Sequence, residues 1–316
     1  MSLLRFQNIN KSYSDRPLAL FNRAPVQVLH NINLTLRHKE ILGVIGESGS
    51  GKSTLGRLAV RLSQPSSGQI FYEKKDITNL SKKSFRPYRK KIQIILQDPH
   101  NALNPSLSVG ASIEEALTAQ HKHMNRAERR DRVVSLLQQT GLDPTVASRR
   151  PHELSGGQKQ RIGIARAIAV NPTLIVADEV VAALDVSVQA HILNLMLDLR
   201  DQFNMAYLFI SHDLEIVQKI SDRVAVLYKG RIVETGHSNE LFNHPLHPYT
   251  QALLASSTVA PTNAKPASLR LNENTKNNSQ GCIFYNQCTR RKEICKVSAP
   301  DTIEISPNHH LACWII

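Results

Sequence analysis

The chain has 316 residues, of which 41% are hydrophobic and 21% are charged. This length and composition are typical of a globular protein with one large domain and an appendage, or with two modest domains. No apolar run reaches the roughly 18 residues that cross a membrane as a helix, and the first residues lack the apolar stretch of a signal peptide. We therefore expect a protein of the cytosol.

The charge of the chain is strongly positive, with a formal net charge of +13 and a pI of about 9.7. Lysine and arginine are concentrated at 82–91, 126–132 and 149–150. Three explanations are open: a solvated surface, attraction to the anionic face of a membrane, or binding to nucleic acid. Aromatic residues make up only 5% of the chain and no nucleic-acid-binding motif accompanies the charge, so nucleic acid is the least favoured partner.

Alternating apolar residues predict two strands at the start of the chain, at residues 4–13 and 26–36. In the second strand one face is predicted to carry Val26, Val28, Ile32, Leu34 and Leu36, with His30 as the exception. Residues 41–45 are predicted to form a short apolar strand, and residues 52–62 are predicted to form a helix that ends at a Pro-Ser-Ser-Gly turn. Further strands are predicted at 69–72, 92–97, 173–178, 206–210, 223–227 and 231–234, of which the last two are joined by a Lys229-Gly230 turn.

The stretch between strands 92–97 and 173–178 has a helical pattern instead, with helices predicted at 112–121, 126–140 and 156–170. A helical block between the strands of an α/β core predicts an inserted subdomain. Residues 257–280 are rich in Asn, Thr, Pro and Lys, which is the composition of a linker. The residues after this linker contain all four cysteines of the chain.

The strongest motif is a phosphate-binding loop. Residues 46–53 read Gly-Glu-Ser-Gly-Ser-Gly-Lys-Ser, a full G-x-x-x-x-G-K-S pattern between a predicted strand and a predicted helix. Its glycines let backbone N–H groups curl around phosphate oxygens at the positive end of the following helix. Lys52 is predicted to reach the β- and γ-phosphates, and the Ser53 hydroxyl is predicted to ligate Mg²⁺. The chain is therefore predicted to bind a nucleoside triphosphate.

A second motif is an apolar strand that ends in two carboxylates, since residues 174–179 read Leu-Ile-Val-Ala-Asp-Glu. Asp178 is predicted to hold Mg²⁺, through coordinated water. Glu179 stands one residue further, where it can orient and deprotonate the attacking water. Together with the upstream phosphate loop, this strand predicts hydrolysis of the bound nucleotide.

A third motif, Leu154-Ser155-Gly156-Gly157-Gln158, follows the phosphate loop by about a hundred residues. With the first two motifs, it makes residues 1–240 resemble the ATPase subunits of ATP-binding cassette (ABC) transporters. The resemblance implies an α/β P-loop NTPase core with an antiparallel β portion, an inserted helical subdomain at about 98–172 and a small C-terminal extension. It also implies that this signature motif binds an ATP held by an opposite subunit. From the residues alone, a helix-capping role for Ser155 is the alternative.

The resemblance assigns the remaining site residues. Tyr13 matches the aromatic residue that stacks on adenine, and Gln97 matches the Q-loop glutamine that senses Mg²⁺ and contacts the membrane subunit. Asp185 matches the D-loop aspartate that communicates across the dimer, and His212 matches the H-loop histidine that holds the γ-phosphate and the attacking water. Taken alone, Tyr13 fits a core position equally well and His212 fits a helix cap. The implied ATP-binding residues are Tyr13, Gly46, Glu47, Ser48, Gly49, Ser50, Gly51, Lys52, Ser53 and Thr54. The implied Mg²⁺ residues are Ser53, Gln97 and Asp178, and the implied catalytic residues are Glu179, His212 and Lys52.

Two positions depart from the family pattern. Val180 stands where the family usually has proline after the catalytic glutamate, and Ala182 stands where the D-loop usually has serine. Proline would fix φ and remove an N–H, so Val180 could loosen the segment that aims Glu179. Because every phosphate- and Mg²⁺-handling residue is present, a working ATPase is predicted, at a rate that these two positions could reduce.

Residues after the cassette indicate which group of ABC ATPases the chain resembles. His247-Pro248-Tyr249-Thr250-Gln251-Ala252-Leu253-Leu254 resembles the extension found on ATPases of peptide and nickel importers, and Gln97-Asp98-Pro99 is similar to the second, F-type ATPase of that group. Membership implies a heterodimer with a paralogous ABC ATPase, two permease subunits and a periplasmic or extracellular solute-binding protein. The chain would then be a peripheral protein on the cytoplasmic face of a bacterial membrane. The alternatives are nickel or another small solute, a slow partner cassette, and a soluble cassette acting on ribosomes or nucleic acid.

The implied domains are a cassette at 1–240 and an extension at 241–316, with the linker at 257–280 and a four-cysteine tail at 281–316. Cys282, Cys288, Cys295 and Cys313 have C-x5-C-x6-C-x17-C spacing. A cytosolic location disfavours disulfides, and the C-x2-C pairs of many zinc modules are absent. Four clustered thiols can hold a [4Fe–4S] cluster, which tails of this family are associated with. Unliganded thiols and a zinc ion are the alternatives, and nearby His309 and His310 are expected to be solvated.

Overall fold

The computed structural model describes residues 1–13, 25–97, 103–120, 124–256 and 280–315. Most of the predicted linker at 257–280 and the Asp98-Pro99 pair lie outside the described residues. Two β-sheets and the helices packed on them form the described part of the chain. This arrangement confirms the predicted α/β core with an antiparallel portion.

The smaller sheet is antiparallel and has the strand order β2-β1-β4-β5. Its strands are β1 (Ser2–Tyr13), β2 (Val26–Arg37), β4 (Ser67–Tyr72) and β5 (Lys75–Asp76). The larger sheet has the order β11-β12-β10-β9-β3-β8-β7-β6. Its strands are β3 (Ile41–Ile45), β6 (Ile92–Ile95), β7 (Leu174–Asp178), β8 (Ala206–Ile210), β9 (Arg223–Tyr228), β10 (Arg231–His237), β11 (Ile303–Ser306) and β12 (His309–Leu311).

The helices flank the larger sheet or form the inserted subdomain. They are α1 (Lys52–Ala59), α2 (Lys82–Lys91), α3 (Val109–Gln120), α4 (Arg126–Gln139), α5 (Gly156–Ile168), α6 (Val186–Phe203), α7 (Leu214–Ile220), α8 (Ser238–Asn243), α9 (Pro248–Ala255) and α10 (Ile294–Val297). Within the described residues, no helix is long and apolar enough to span a membrane.

The centre of the larger sheet positions the predicted site. β3, β7 and β8 are buried along their whole length, as expected of parallel strands that are covered on both faces. β6, β7, β8, β3 and β9 run parallel to their neighbours in this order. Their carboxyl ends therefore meet at one edge, where open α/β sheets bind their ligands.

The inserted helices occur where they were predicted. α3, α4 and α5 stand between β6 and β7 in the chain and contact one another. Their apolar side chains join the larger hydrophobic core, and Arg129 of α4 pairs with Glu114 of α3 at 2.9 Å. Since both charged side chains are partly exposed, most of the stability of this subdomain comes from apolar packing.

The predicted face of β2 is wrong in its first half. Val26 is 63% exposed and Val28 is only half-buried, whereas Leu29 is fully buried. The pairing of β1 with β2 shifts between Ile9 and Lys11 and again at the next pair, and Asn31 has a left-handed backbone with φ 48°. An irregularity of this kind moves the alternation by one residue, so the buried face changes side.

The basic stretch at 82–91 forms a helix that was not predicted. The hydroxyl of Ser81 caps α2 by accepting the backbone N–H of Ser84, and Phe85 is the only buried side chain of α2. Its ring lies 4.8 Å from the guanidinium carbon of Arg61. The lysines and arginines of this helix lie at the surface, partly or fully exposed.

The cysteine tail is built onto the cassette core. β12 pairs antiparallel with β10, and β11 pairs with β12, so the tail extends the larger sheet at its edge. The hairpin of β9 and β10, with Lys229 and Gly230 at positive φ, is the predicted one. The boundary at residue 240 stays a prediction, but the sheet and the core run across it.

The expectation that His309 is solvated is wrong. Its side chain is 2% exposed and lies between two carboxylates, with Nε2 2.9 Å from Glu234 Oε1 and Nδ1 3.1 Å from Glu240 Oε1. Glu234 also accepts the backbone N–H groups of Leu246 and His247. Because Glu234 and His309 are 75 residues apart in the chain, local sequence could not reveal the pair.

Stability should depend on pH through His309. Its hydrogen bonds to Glu234 and Glu240 raise the pKa of His309 above the ordinary value. A raised folded-state pKa stabilises the fold fully below the unfolded-state pKa of about 6.5, and this contribution is lost as pH rises through the folded-state pKa. We expect His309→Gln to lower the free energy of unfolding more at pH 6 than at pH 9, measured by urea titration. Equal losses at both pH values would contradict this prediction.

Candidate ATP-binding and hydrolysis site

The phosphate-binding loop connects β3 to α1 at the carboxyl edge of the larger sheet. Gly46 has φ 150°, and a Cβ atom there would lie 2.1 Å from the Leu227 carbonyl oxygen. Gly51 has φ 107°, and a Cβ atom there would lie 2.7 Å from a methyl group of Leu29. Only glycine fits these two positions, because both the backbone angle and the close neighbour exclude a side chain.

Lys52 is held inside the loop. Its Nζ donates hydrogen bonds to the carbonyl oxygens of Gly46 at 2.7 Å and Glu47 at 2.8 Å, and its side chain is buried. Burial lowers the pKa of Lys52, an effect opposed by the carboxylates of Glu179 and Asp178. The carboxylates keep this buried ammonium group charged, and a charged ammonium group in a phosphate-binding loop can bind an anion with several negative charges.

Ser53 and Asp178 form the second element of the site. The Ser53 hydroxyl donates a hydrogen bond to Asp178 Oδ1 at 3.0 Å. Burial raises the pKa of Asp178, against the hydrogen bond from Ser53 that lowers it. A hydroxyl and a carboxylate are the oxygen ligands that Mg²⁺ prefers, so this pair fits the ion.

Three residues predicted to act together meet around one carboxylate. Glu179 Oε2 accepts a hydrogen bond from Gln97 Nε2 at 2.5 Å, and Glu179 Oε1 lies 3.3 Å from His212 Nδ1. The histidine is 61% exposed and the glutamate 16% exposed, so this group faces solvent on one side. The structure therefore brings together the ends of β6, β7 and β8 that carry these side chains.

Glu179 has a strained backbone. Its φ is 50°, in the left-handed region that glutamate rarely adopts, and its N–H donates to the carbonyl oxygen of Ile210 at 2.9 Å. Such conformations cost on the order of 1–3 kcal/mol and occur at functional sites. Val180, at the position where the family usually has proline, is 2% exposed. Its burial fixes the chain next to Glu179 by packing.

The signature motif starts α5. The Ser155 hydroxyl accepts the N–H of Gln158 at 3.3 Å, and Gln158 Oε1 accepts the N–H of Ser155 at 3.0 Å, which is a capping box. A Cβ atom on Gly157 would lie 2.7 Å from a methyl group of Val188 in α6. Asp185 is exposed at the start of that same helix. The signature motif and the D-loop therefore lie side by side, and Ser155 acts as a cap in the isolated chain.

Tyr13 lies at the end of β1, opposite Val26 of β2, and is 40% exposed. The ammonium group of Lys11 is 4.6 Å from the centre of its ring. Leu29, three residues after Val26, contacts the phosphate-binding loop at Gly51. Tyr13 is therefore an exposed aromatic ring on the sheet that borders the loop, not a core residue.

The four cysteines are free thiols in the described tail, three of them buried. Burial, together with the other three thiols, raises the pKa of Cys282 to about 11. The backbone N–H of Cys282 donates to the carbonyl oxygen of Cys295 at 2.8 Å. In the part of the chain that the structure describes, no group of three or more His, Cys, Asp or Glu residues is arranged to hold a metal ion. The [4Fe–4S] prediction is thus not supported by the geometry, and no step of the reaction is assigned to a cluster.

One contact to the site could not be predicted from the sequence. Tyr249 of α9 is fully buried, and its hydroxyl accepts the backbone N–H of Glu47 in the phosphate-binding loop at 3.1 Å. The two residues are 202 positions apart. Tyr249 belongs to the His-Pro-Tyr segment that the sequence singles out, but nothing in the segment indicates its partner.

Two protein-family models match parts of the chain. Residues 29–182 match the family model described as ABC transporter. Residues 233–295 match the model described as oligopeptide/dipeptide transporter, C-terminal region. The chain belongs to the ABC transporter family, as an ATP-hydrolysing cassette.

Curated relatives match nearly the whole chain. The oligopeptide transport ATP-binding protein AppF of Bacillus subtilis (strain 168) is 44% identical over 325 residues, covering 99% of this chain and 97% of the relative. A putative peptide import ATP-binding protein of Brucella abortus (strain 2308) is 45% identical over 296 residues, covering 93% of this chain and 88% of the relative.

Among solved structures, the dimeric post-hydrolysis state of the ATP-binding cassette MJ0796 bound to ADP and Pi is similar, with a TM-score of 0.67 and 27% identity. The match covers 74% of this chain and 98% of that one. The cbiO1 protein of Clostridium perfringens, part of the ABC transporter complex cbiONQ, has a TM-score of 0.67 and 30% identity. It covers 77% of this chain and 91% of that one.

Proposed function

We propose that the chain is an ATPase subunit of a bacterial importer, which couples MgATP hydrolysis to the uptake of oligopeptides or dipeptides. The observation that carries the proposal is that one chain combines an ABC transporter match, which contains the phosphate-binding loop and Glu179, with a match to the oligopeptide/dipeptide transporter C-terminal region. The printed names of the two curated relatives, oligopeptide transport and peptide import, support the cargo.

The chemistry follows from the contacts of the chain's own residues. Lys52 would bind the β- and γ-phosphates, and Ser53, Asp178 and Gln97 would hold Mg²⁺. Ser53 donates a hydrogen bond to Asp178, and Gln97 donates one to the next residue, Glu179. When bound, Mg²⁺ neutralises charge on the phosphate oxygens.

Water activation is assigned to Glu179, which takes a proton from the attacking water as general base. His212, 3.3 Å from Glu179, holds the γ-phosphate and the water in line. Gln97, which follows β6, donates a hydrogen bond to the carboxylate of Glu179. A change at this carboxylate during hydrolysis can therefore move Gln97, and Gln97 is proposed to contact a membrane subunit.

The partners are proposed on the same basis. Two permease subunits, an external solute-binding protein and a second ABC ATPase would complete the importer, with this chain peripheral at the cytoplasmic side of the membrane. The exposed D-loop, from Ala182 to Ser187 with Val186 81% exposed, fits a surface that a second cassette covers. Whether that cassette is a paralogue or a second copy decides between a heterodimer and a homodimer.

The test is affinity purification of the tagged chain from gently solubilised native membranes, followed by mass spectrometry. The expected result is recovery of two multi-span permeases and a second cassette ATPase. Recovery with ribosomes or nucleic acid, and without permeases, would contradict the proposal and favour a soluble cassette. Recovery of a solute-binding protein specific for nickel would change the proposed solute, but the chain would still be the ATPase subunit of an importer.

The tail requires its own measurement. The number and the clustering of the cysteines in the sequence support a [4Fe–4S] cluster as a proposal, although the described residues form no metal-binding group. Iron and acid-labile sulfide are measured after anaerobic purification, with Cys288→Ser as the comparison. About four irons per chain, lost in the variant, would support the cluster. Zinc alone, or no metal, would support the zinc or the unliganded alternative.

A further inference from the structure

The C-terminal extension reaches the phosphate-binding loop through one tyrosine. Tyr249 is fully buried, and its hydroxyl oxygen lies 3.1 Å from the backbone nitrogen of Glu47, whose N–H it accepts. Burial raises the pKa of Tyr249, so the hydroxyl stays uncharged at neutral pH. A neutral acceptor at this place does not add a negative charge near the phosphates.

The same loop residue holds Lys52. The Glu47 carbonyl oxygen accepts Lys52 Nζ at 2.8 Å and the Ser50 N–H at 3.2 Å. Glu47 is therefore held at two points: its N–H bonds to Tyr249, and its carbonyl oxygen bonds to the ammonium group of Lys52, which is predicted to bind phosphate. Loss of the tyrosine hydroxyl would release one side of Glu47, while the lysine contact remains on the other.

Tyr249 is itself held by an aromatic cluster, which consists of Tyr228, Tyr249 and Phe284. The ring centres of Tyr249 and Tyr228 are 4.3 Å apart. The ring centre of Phe284 is 5.3 Å from that of Tyr228 and 5.6 Å from that of Tyr249. Phe284 belongs to the cysteine tail, two residues after Cys282. The cluster thus links the tail to the last residue of β9 and to the phosphate-binding loop.

The start of α9 is fixed as well. The ring nitrogen Nδ1 of His247 accepts the backbone N–H of Tyr249 at 3.0 Å. The backbone N–H of His247 donates to Glu234 Oε2 at 3.0 Å. Burial lowers the pKa of His247 to about 4, so the ring is neutral and Nδ1 can accept. The tyrosine hydroxyl is therefore presented to the loop from a rigid helix start.

We propose that Tyr249 is a positioning residue of the phosphate-binding loop, through which the C-terminal extension raises the affinity of the cassette for ATP. The physical reason is preorganisation: a loop already ordered by Tyr249 loses less conformational entropy when the nucleotide binds. This role depends on the ATP site and not on the identity of the cargo. Failure of the peptide proposal would leave it unaffected.

The test is Tyr249→Phe in the full chain, with Tyr207→Phe as the matched control. Both tyrosines are buried, and the Tyr207 hydroxyl donates to the Met196 carbonyl at 3.1 Å, in the core. Binding of a fluorescent ATP analogue with Mg²⁺ is titrated for each variant. Tyr249→Phe is expected to raise the Kd about 3- to 10-fold, the range that the loss of one net hydrogen bond allows. Tyr207→Phe should change the Kd by less than about 2-fold, although both variants lower the Tm.

A third variant tests the link to the tail. Phe284→Leu keeps the Tyr249 hydroxyl but removes a ring that supports it, and should raise the Kd by a smaller factor than Tyr249→Phe. An unchanged Kd for Tyr249→Phe would overturn the proposal, as would an equal increase in Tyr249→Phe and Tyr207→Phe. An unchanged Kd for Phe284→Leu, with a raised Kd for Tyr249→Phe, would overturn the role of the tail.

Discussion

Replacing Glu179 with glutamine is expected to lower the kcat of ATP hydrolysis by roughly 100-fold to 10,000-fold, the range that a general base supplies. Glutamine keeps the size of the side chain and can still bond to Gln97, but it cannot take a proton from water. Affinity for MgATP should remain close to that of the wild type, because Lys52, Ser53 and Asp178 are untouched. Phosphate release and nucleotide binding are the two readouts.

Glu73→Gln is the matched control for this variant. Glu73 also has a left-handed backbone, with φ 54°, but it is exposed in the turn between β4 and β5 of the smaller sheet. Its replacement should leave kcat within about 2-fold of the wild type. If Glu179→Gln hydrolyses ATP at more than about a tenth of the wild-type rate, Glu179 is not the general base. The water would then be activated by another group.

Replacing Glu234 with glutamine is expected to lower the free energy of unfolding by about 3–5 kcal/mol, as breaking one side of a buried ion pair does. Glu234 is fully buried, and it accepts His309 and the backbone N–H groups of Leu246 and His247. Glutamine would leave only the partly exposed Glu240 to compensate the charge of His309, and it would point an NH₂ group at one of these donors. Urea denaturation monitored by circular dichroism measures the loss.

Glu304→Gln is the control in the same tail. Glu304 also accepts a backbone N–H, that of Asn308 at 2.9 Å, but it is exposed, so about 1 kcal/mol or less is expected. The double variant Glu234→Gln with His309→Gln removes both charges and should lose less than the sum of the two single variants. A loss of under about 1 kcal/mol for Glu234→Gln would contradict the assigned role of the pair.

The parts of the structure that follow from local pattern were predictable. β3, β7 and β8 are apolar runs next to turn or motif residues, and the phosphate-binding loop is defined by eight consecutive residues. Since each of these signals lies within a few residues, neither burial nor distant contacts were needed to find them. Gln97 and His212 were assigned through the family resemblance, and they meet Glu179 because β6, β7 and β8 are neighbours in the parallel sheet.

The parts that depend on distant contacts were not predictable. The buried face of β2 changes side because Asn31 adopts a positive φ. Asparagine tolerates a positive φ but does not require it, so the residue type alone does not predict the change. His309 is buried because Glu234 and Glu240 surround it, and Tyr249 meets Glu47 across 202 residues. In the last two cases, polar groups with ordinary sequence surroundings are brought together by the sheet and by the packing of the C-terminal extension.

Peptide import by this chain is tested by measuring ATP hydrolysis by the assembled importer in proteoliposomes, with its solute-binding protein, in the presence and absence of peptides. We expect di- or oligopeptides to stimulate hydrolysis, and we expect Glu179→Gln in this chain to abolish both the stimulation and peptide uptake. Hydrolysis that no peptide stimulates, or uptake that continues at the wild-type rate with Glu179→Gln, would contradict the claim that this chain drives peptide import.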